Sequence, residues 1–268
     1  MRFSIITVVL NDIQNIEKTI LSLKNQTYKN YEHIIIDGKS SDGTIELIKR
    51  YSKTARLYVK KDKSLYEAIN RGIKKSKGEI IFLIHSGDIF GDKNILKKVN
   101  RIFKKKYDIL SGNIQFYKAE EAKIVRDWSI KLNKFNSTNF FKVPHTSLFI
   151  KKKLFNKIKN YSTNYKISSD LDFLIKLSKL KSNFYYFNQN IIYMQTGGLS
   201  TSIDKMIQRY KEDIKILYKH FGLFFLFMFI LKISNKFKGF LKLNKFNNKK
   251  LRNQLNSISQ KKFKYDKF

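Results

Sequence analysis

Residues 34–44 read Ile34-Ile35-Ile36-Asp37-Gly38-Lys39-Ser40-Ser41-Asp42-Gly43-Thr44. A β-branched apolar run of this kind predicts a buried strand. It stops at a carboxylate, a glycine and a cluster of small polar residues. Ligands of open α/β sheets sit beyond the carboxyl ends of the strands, so the tract predicts a strand that delivers Asp37 to a ligand. Asp-Gly is also ordinary turn chemistry, in which the carboxylate caps nearby backbone N–H groups.

The flanking sequence places the tract in a repeating pattern. Upstream, Phe3 to Leu10 predicts a strand, and Ile13, Ile16, Ile20, Leu21 and Leu23 recur at helical spacing as far as Gln26. Downstream, Asp42-Gly43-Thr44 opens a helix carrying Ile45, Leu47 and Ile48, and Leu57-Tyr58-Val59 is a short strand. Glu67 to Ser76 is a further helix. Glu79 to Ile84 is a near-continuous apolar strand that ends in His85-Ser86-Gly87-Asp88, a second carboxylate at a strand end. This alternation predicts the α/β class, with a mostly parallel sheet covered by flanking helices. Beyond Lys104 the pattern is mixed, with strands near Ile109 to Phe116, Leu148 to Ile150 and Asn190 to Gln195, and a helix from Asp170 to Leu180.

The chain of 268 residues suits one catalytic domain with an appendage. Its formal net charge of +34, from 55 Lys and Arg against 21 Asp and Glu, favours anionic partners: nucleic acid, anionic lipid or phosphorylated substrates. Lys, Ile, Asn, Phe and Tyr are abundant together throughout, so part of the excess is compositional and local clustering matters more than the total. The absence of cysteine excludes disulfides, thiolate nucleophiles and cysteine-based metal centres. The apolar N-terminal stretch ends at Leu10 and reads as a first buried strand, which points to the cytoplasm.

Five segments carry a family resemblance. They are Ser4 to Asn11, Ser22 to Tyr28, Ile34 to Thr44, Asp62 to Gly72, and Ser86-Gly87-Asp88. In order and spacing they resemble family 2 glycosyltransferases of the GT-A fold, over roughly residues 1–200, and most of all the bacterial enzymes of capsule, O-antigen or exopolysaccharide assembly. The resemblance implies a nucleotide-sugar-binding half (1–105), an acceptor half (106–200) and a helical, basic C-terminal extension (201–268).

It also implies roles. Asp37 grips the base or ribose of a UDP-sugar, Thr7, Val9 and Asn11 line the nucleotide pocket, and Asp62 and Asn70 complete it. Ser86 and Gly87 belong to the same donor-binding turn, and Asp88 is the ligand of a Mg²⁺ or Mn²⁺ ion that neutralises the leaving diphosphate. The family often has an acidic residue where this chain has Ser86, so one carboxylate of the usual pair remains. Asp92 reads as a helix cap. For inversion at C1 a general base is needed opposite the leaving group. Ser168 to Leu177 resembles the segment that carries it, with Asp170 as the base and Asp172 as the alternate, although a carboxylate there is also an ordinary helix cap. Pro144 to Ser147 and Thr196 to Ser200, with His145, Gly197 and Gly198, resemble segments beside the active site. Trp128, Phe135, Phe140 and Phe141 read as core packing.

The C-terminal segment has a different chemistry. Ile203, Met206, Ile207, Tyr210, Ile214, Leu217, Tyr218 and Phe221 form an apolar helical stripe, expected to pack on the catalytic domain. Phe221 to Ile233 is almost wholly apolar yet too short to span a bilayer, and Lys232 to Lys267 is heavily basic. Residues 222–268 are therefore expected to lie on an anionic membrane, serving a glycan or polyprenyl-diphosphate-linked acceptor. Two rival classes remain open. A nucleic-acid-binding protein would explain the charge but not the carboxylates at strand ends. A sugar nucleotidyltransferase needs a glycine-rich loop after the first strand, and Val8 to Asp12 has no glycine.

Overall fold

A computed structural model describes residues 1–129, 131–196, 203–240, 246 and 248–265. The elements run in the order β1 (Phe3–Val9), α1 (Ile13–Lys24), β2 (Tyr31–Asp37), α2 (Thr44–Tyr51), β3 (Arg56–Val59), α3 (Leu65–Lys75), β4 (Ile80–Leu83), β5 (Ile89–Phe90) and α4 (Ile95–Phe103). The second half follows with β6 (Ile109–Lys118), β7 (Lys123–Trp128), β8 (Phe149–Lys151), α5 (Lys152–Ile158), α6 (Ser169–Ser178), β9 (Phe184–Gln195), α7 (Ile203–Phe221), α8 (Phe225–Phe240) and α9 (Lys249–Tyr265).

The described strands form one nine-stranded sheet in the order β3-β2-β1-β4-β8-β6-β9-β5, with β7 paired to β6. The first four are parallel neighbours, in register Val9 to Asp37 and Asp37 to Val59. Their carboxyl ends therefore finish along one edge, as the alternating pattern requires. β8 joins antiparallel to β4, so a single sheet runs through both halves of the domain. β1 and β4 are buried along nearly their whole length, which explains their continuous apolar runs.

Helix α1 lacks a cap from its own Asp12; the Asp42 carboxylate reaches across from the β2–α2 loop to the Ile13 N–H at 3.0 Å. Helix α3 is capped within its own sequence, where Ser64 accepts the Glu67 N–H at 3.2 Å. At Gly72, on the inner face of α3, an added Cβ would sit 2.5 Å from Ile6 Cγ2, so glycine permits the close seating of α3 on β1.

The C-terminal helices are built into the domain at two separate places. Ile216, Leu217 and Met228 join the core cluster that contains Phe140, Phe173 and Leu174. Leu251 and Ile258 of α9 pack instead with Ile16, Ile20 and Ile48 beside the first strands. The expected apolar stripe of α7 divides: Leu217 and Phe221 turn inward, whereas Met206, Ile207, Tyr210, Ile214 and Tyr218 are exposed. The reason is geometric: Leu217 and Phe221 reach the core cluster around Phe140, whereas Tyr210 and Tyr218 meet only the rings of Phe229 and Phe225 on α8 edge-on.

Candidate active site

The ends of β1 and β2 are stitched together by side chains. Asp37 is fully buried, and its two oxygens accept the Ser40 backbone N–H at 2.8 Å and the Ser40 hydroxyl at 2.7 Å. Ser40 Oγ accepts the Asn11 N–H at 2.8 Å, and Asn11 Oδ1 accepts the Ser41 N–H at 2.9 Å. Lys39 and Asn11 both have positive φ, +71° and +48°, which turns the two loops back on one another. Asp37 is thus the anchor of a turn at the strand edge, the arrangement that Asp-Gly favours by itself.

Other candidates are used by the scaffold. The side chains of Thr7 and Val9 lie in the core rather than at the strand edge: Thr7 Oγ1 is 3.0 Å from His33 Nε2, and Val9 packs with Ile16 and Ile35. Their position in the strand explains this, since residues two apart share the face covered by α1. Asn70 donates to the Tyr161 carbonyl at 2.8 Å and accepts the Tyr161 N–H at 3.0 Å, tying α3 to the acceptor half. Asp62 is nearly buried against Arg71 at 2.5 Å; burial lifts its carboxyl above the usual range although the guanidinium opposes this.

The turn after β4 has a different character. Asp88 is buried; Oδ1 accepts the Gln195 N–H at 3.1 Å, while Oδ2 has no hydrogen-bond partner. Ser86 Oγ and Gln195 Oε1 are also buried and unpartnered. A Cβ at Gly87, where φ is +88°, would lie 2.9 Å from Gln195 Oε1, so that amide oxygen lies against the turn that carries Ser86 and Asp88. Burial pushes the Asp88 carboxyl up to about 8, with the Gln195 N–H offsetting only part of that cost. Thr19 Oγ1 donates to the carbonyl of Asp88 at 2.8 Å, and Tyr117 OH donates to that of Gly87 at 2.9 Å, which fixes the turn. Hard oxygen donors around one carboxylate fit Mg²⁺ or Mn²⁺, which complete their shells with substrate phosphate and water. No group of three His, Cys, Asp or Glu side chains that would hold a metal ion by themselves occurs among the described residues. Asp92 accepts the Asn94 N–H at 2.6 Å just ahead of α4 and pairs with Lys98 at 2.8 Å, while the N-cap position itself falls on Asn94.

Across from this turn, Asp170 lies in the first turn of α6, where the helix dipole favours a carboxylate. Its Oδ2 is 3.3 Å from His145 Nδ1, and both side chains are partly exposed. His85, which opens the β4 turn, feels the charges of both, and burial above all holds its imidazole down at about 4 and therefore neutral. His85 belongs to the same turn as Asp88, and its carbonyl accepts the Asp88 N–H at 3.1 Å. The buried phenols of Tyr66 and Tyr161 back the site; burial, followed by the Asp170 charge, raises both. Asp172 faces the other way. It is fully buried, 2.8 Å from His220 and 2.6 Å from Lys176. Burial opposes its ionisation, but hydrogen bonds from His220 and Lys176 prevail and hold the carboxyl below its usual range. Asp170 alone of the two faces the cleft. Trp128 and Phe140 serve packing, with Trp128 Nε1 donating to the Lys142 carbonyl and Phe140 fully buried. Gly197 and Gly198 lie outside the described residues.

A family model described as Glycosyl transferase family 2 matches residues 4–169. The chain belongs to glycosyl transferase family 2. Among relatives of this glycosyltransferase, the poly(ribitol-phosphate) β-N-acetylglucosaminyltransferase TarP of Staphylococcus aureus is 29% identical over 217 residues, covering 68% of this chain and 64% of TarP. Glycosyltransferase GlyG of Streptococcus pneumoniae is 25% identical over 218 residues, 73% of this chain and 71% of GlyG. Among solved structures, S. aureus TarS 1–349 in complex with UDP has a TM-score of 0.67 at 16% identity, covering 97% of this chain and 80% of that one. The mannosyltransferase PcManGT of Pyrobaculum calidifontis, in complex with GDP-Man and Mn²⁺, has a TM-score of 0.61 at 13% identity, covering 97% and 75%. These likenesses establish the GT-A fold and the transferase class, and with them the rival nucleic-acid and nucleotidyltransferase readings fall away.

Several residues of the transferase site carry no motif of their own. Gln195, Tyr117 and Thr19 reach the Asp88 turn from β9, β6 and α1. Only Gln195 had a sequence signal, as the polar end of an apolar strand ahead of Thr196. His85 was visible as the start of the His85-Ser86-Gly87-Asp88 strand end, but its nearness to Asp170 was not.

Proposed function

We propose that the enzyme transfers a sugar with inversion from a nucleotide-diphospho-sugar, a UDP-sugar by preference, to a hydroxyl of a glycan or polyprenyl-diphosphate-linked saccharide in cell-surface polysaccharide synthesis. The observation that carries this reading is the Asp88 turn, where Asp88 Oδ2, Ser86 Oγ and Gln195 Oε1 are buried without partners, together with the partly exposed Asp170 in the first turn of α6. UDP and UDP-GlcNAc in the TarS structures, and the acceptor named for TarP, support the donor and acceptor classes.

In this reading the loops that Asp37, Ser40 and Asn11 lock together form the floor for the nucleotide, and Asp62 closes its side. The side chains of Thr7, Val9 and Asn70 act from behind, by fixing the strand and the helix that frame that floor. Asp88, with Ser86 and Gln195, would hold a divalent cation, which when bound supplies neutralising charge to the diphosphate. Gly87 lets the chain pass close to the same group. Asp170 takes the proton from the acceptor hydroxyl as its oxygen bonds to C1 and the C1–O bond to the nucleoside diphosphate breaks. His145, whose Nδ1 lies 3.3 Å from Asp170 Oδ2, stands beside that carboxylate and orients it. The proposed setting is the cytoplasmic face of the membrane, reached through the basic segment 222–268.

A thermal-shift series of UDP- and GDP-sugars, with and without Mn²⁺, tests the donor, because a bound ligand stabilises the fold by mass action. Asp170→Asn is expected to keep the donor-induced shift while turnover falls by about 10²–10⁴. Normal turnover in that variant would remove the base assignment.

A further inference from the structure

Among the described residues, most of the exposed large apolar side chains lie on the hairpin of α7 and α8. The stretch Lys205–Ser234 has a mean hydropathy of 1.8 in its most apolar window, and only 17% of that window is buried. By length and composition alone it would cross a membrane. The fold places it otherwise. Gly222 has φ +55° and the chain reverses there, so that Tyr210 meets Phe229 edge-on at 6.1 Å and Tyr218 meets Phe225 at 5.7 Å. In one continuous helix Tyr210 and Phe229 would stand about 28 Å apart. The Asp213–Lys232 ion pair locks the two arms, and Phe221 stacks on Phe140 of the domain.

The outer side of this hairpin is arranged by residue type. Met206, Ile207, Tyr210, Ile214 and Tyr218 form an exposed apolar stripe on α7. At the tip, Leu223 is 87% and Phe224 74% exposed, and Leu226, Phe227 and Ile230 continue the surface along α8. Lys211 and Lys215 stand four apart, each one step round the helix from Tyr210 and Ile214, and both are exposed, whereas Lys219 is drawn toward the domain by Asp172 at 3.8 Å. Exposed apolar and aromatic side chains bordered by lysines match an interface in which ring and alkyl groups enter the acyl boundary and ammonium groups meet anionic headgroups.

We infer that the α7–α8 hairpin, with Leu223 and Phe224 at its tip, is the element that docks this enzyme flat on an anionic lipid surface. Helix α9, although part of the basic segment, is excluded from that role by its packing: Leu251 and Ile258 are buried, and Asn25 donates to Ser257 at 2.9 Å. The inference sharpens the membrane part of the proposed function but is independent of the donor assignment. It has one further consequence. Glu212 and His220, on the inner face of α7, hold the α6 region that carries Asp170, so the lipid surface and the general base lie on opposite sides of a single helix.

The test is co-sedimentation of the full chain with vesicles of phosphatidylcholine alone and of phosphatidylcholine with phosphatidylglycerol. Wild type is expected to bind the anionic vesicles. The triple variant Leu223→Ser, Phe224→Ser, Phe227→Ser should lose more than about a hundredfold in partition. Lys211→Glu with Lys215→Glu should lose at least about tenfold on anionic vesicles only. Neither set touches the active site, so the donor-induced thermal shift should stay as in wild type, and failure here is distinguishable from failure of the transferase reading. Undiminished vesicle binding by the triple variant would overturn the proposal. So would a wild type that ignores vesicles but self-associates in their absence and becomes monomeric in the triple variant, which would make the surface an interface between copies.

Discussion

Glu212 of α7 accepts the backbone N–H of Ser168 at 2.9 Å. The same carboxylate accepts those of Ile167 at 2.9 Å and Lys166 at 3.0 Å. Burial opposes its ionisation, but three donated N–H groups hold the carboxyl below its usual range. A side chain from beyond the matched catalytic region thus fixes the loop that leads into the helix bearing Asp170.

Glu212→Gln keeps the size of the side chain but weakens charge-assisted bonds to the 166–168 loop. A displacement of the base by about 1 Å is expected to cost up to ~10²-fold in kcat, since proximity and orientation carry so much of the barrier. Donor KM should stay within about twofold, because interactions used only in the transition state leave ground-state binding intact. Steady-state kinetics read both, and a change confined to KM would place Glu212 in binding instead.

Asp88→Asn removes the carboxylate of the β4 turn while keeping its shape. Mn²⁺ is then expected to add nothing to the donor-induced thermal shift. Without metal the same variant should also lose a pH dependence that wild type shows. Burial holds the folded carboxyl at about 8 and the unfolded one titrates at the ordinary 3.8, so the folded state holds the extra proton between those limits. Wild type therefore loses stability as pH rises through that window, by an amount on the order of a few kcal/mol. Asp88→Asn should not, and urea unfolding at pH 5 and pH 8 compares the two.

His33 gives the reverse slope. Burial holds its imidazole down at about 3 beside Thr7, so the unfolded state binds more protons between pH 3 and the ordinary 6.5. Stability is lost as pH falls through that range, and lowering the pH from 7 to 5 should cost wild type about 2 kcal/mol from this group. His33→Gln should shrink the pH 7 to pH 5 difference by that amount.

Gly72→Ala tests the packing of α3. Alanine in a helix interior is ordinarily favoured over glycine by about 1 kcal/mol. Here its Cβ would meet Ile6 Cγ2 at 2.5 Å, so overpacking should reverse the sign and destabilise by about 1–3 kcal/mol. The companion change Ile6→Val keeps the clashing Cγ2 methyl and should recover little of the loss.

The parallel half was legible because strand and helix periods alternate cleanly from Phe3 to Leu83, and each element appears within a few residues of its expected place. β9 begins earlier than expected, at Phe184, because Asn188, Gln189 and Asn190 interrupt the apolar pattern while pairing with β6 carries the strand through two register shifts. The antiparallel joining of β8 to β4 leaves no local trace. In the site, the carboxylates at strand ends were legible, but not what each touches. Asp170 and Asp172 are equivalent by pattern; His220, distant in sequence, is what takes Asp172 out of the cleft. The packing of α9 escaped notice because Leu251, Leu255 and Ile258 are a sparse ridge within a lysine-rich run.

That ridge bears on how the molecule folds. Ile16 and Ile20, near the beginning of the chain, share one apolar cluster with Leu251 and Ile258, and Asn25 meets Ser257 across a separation of 232 residues. Contacts of such long sequence separation slow folding, because the loop they close must lose its freedom before they form. On the ribosome the first βαβ unit emerges with one side of α1 bare, and it stays so until almost the whole remaining chain has been synthesised. The interval exposes isoleucine ridges to misassociation. The docking of α9 is therefore the step expected to limit refolding, and its removal should leave a faster-forming but stickier protein.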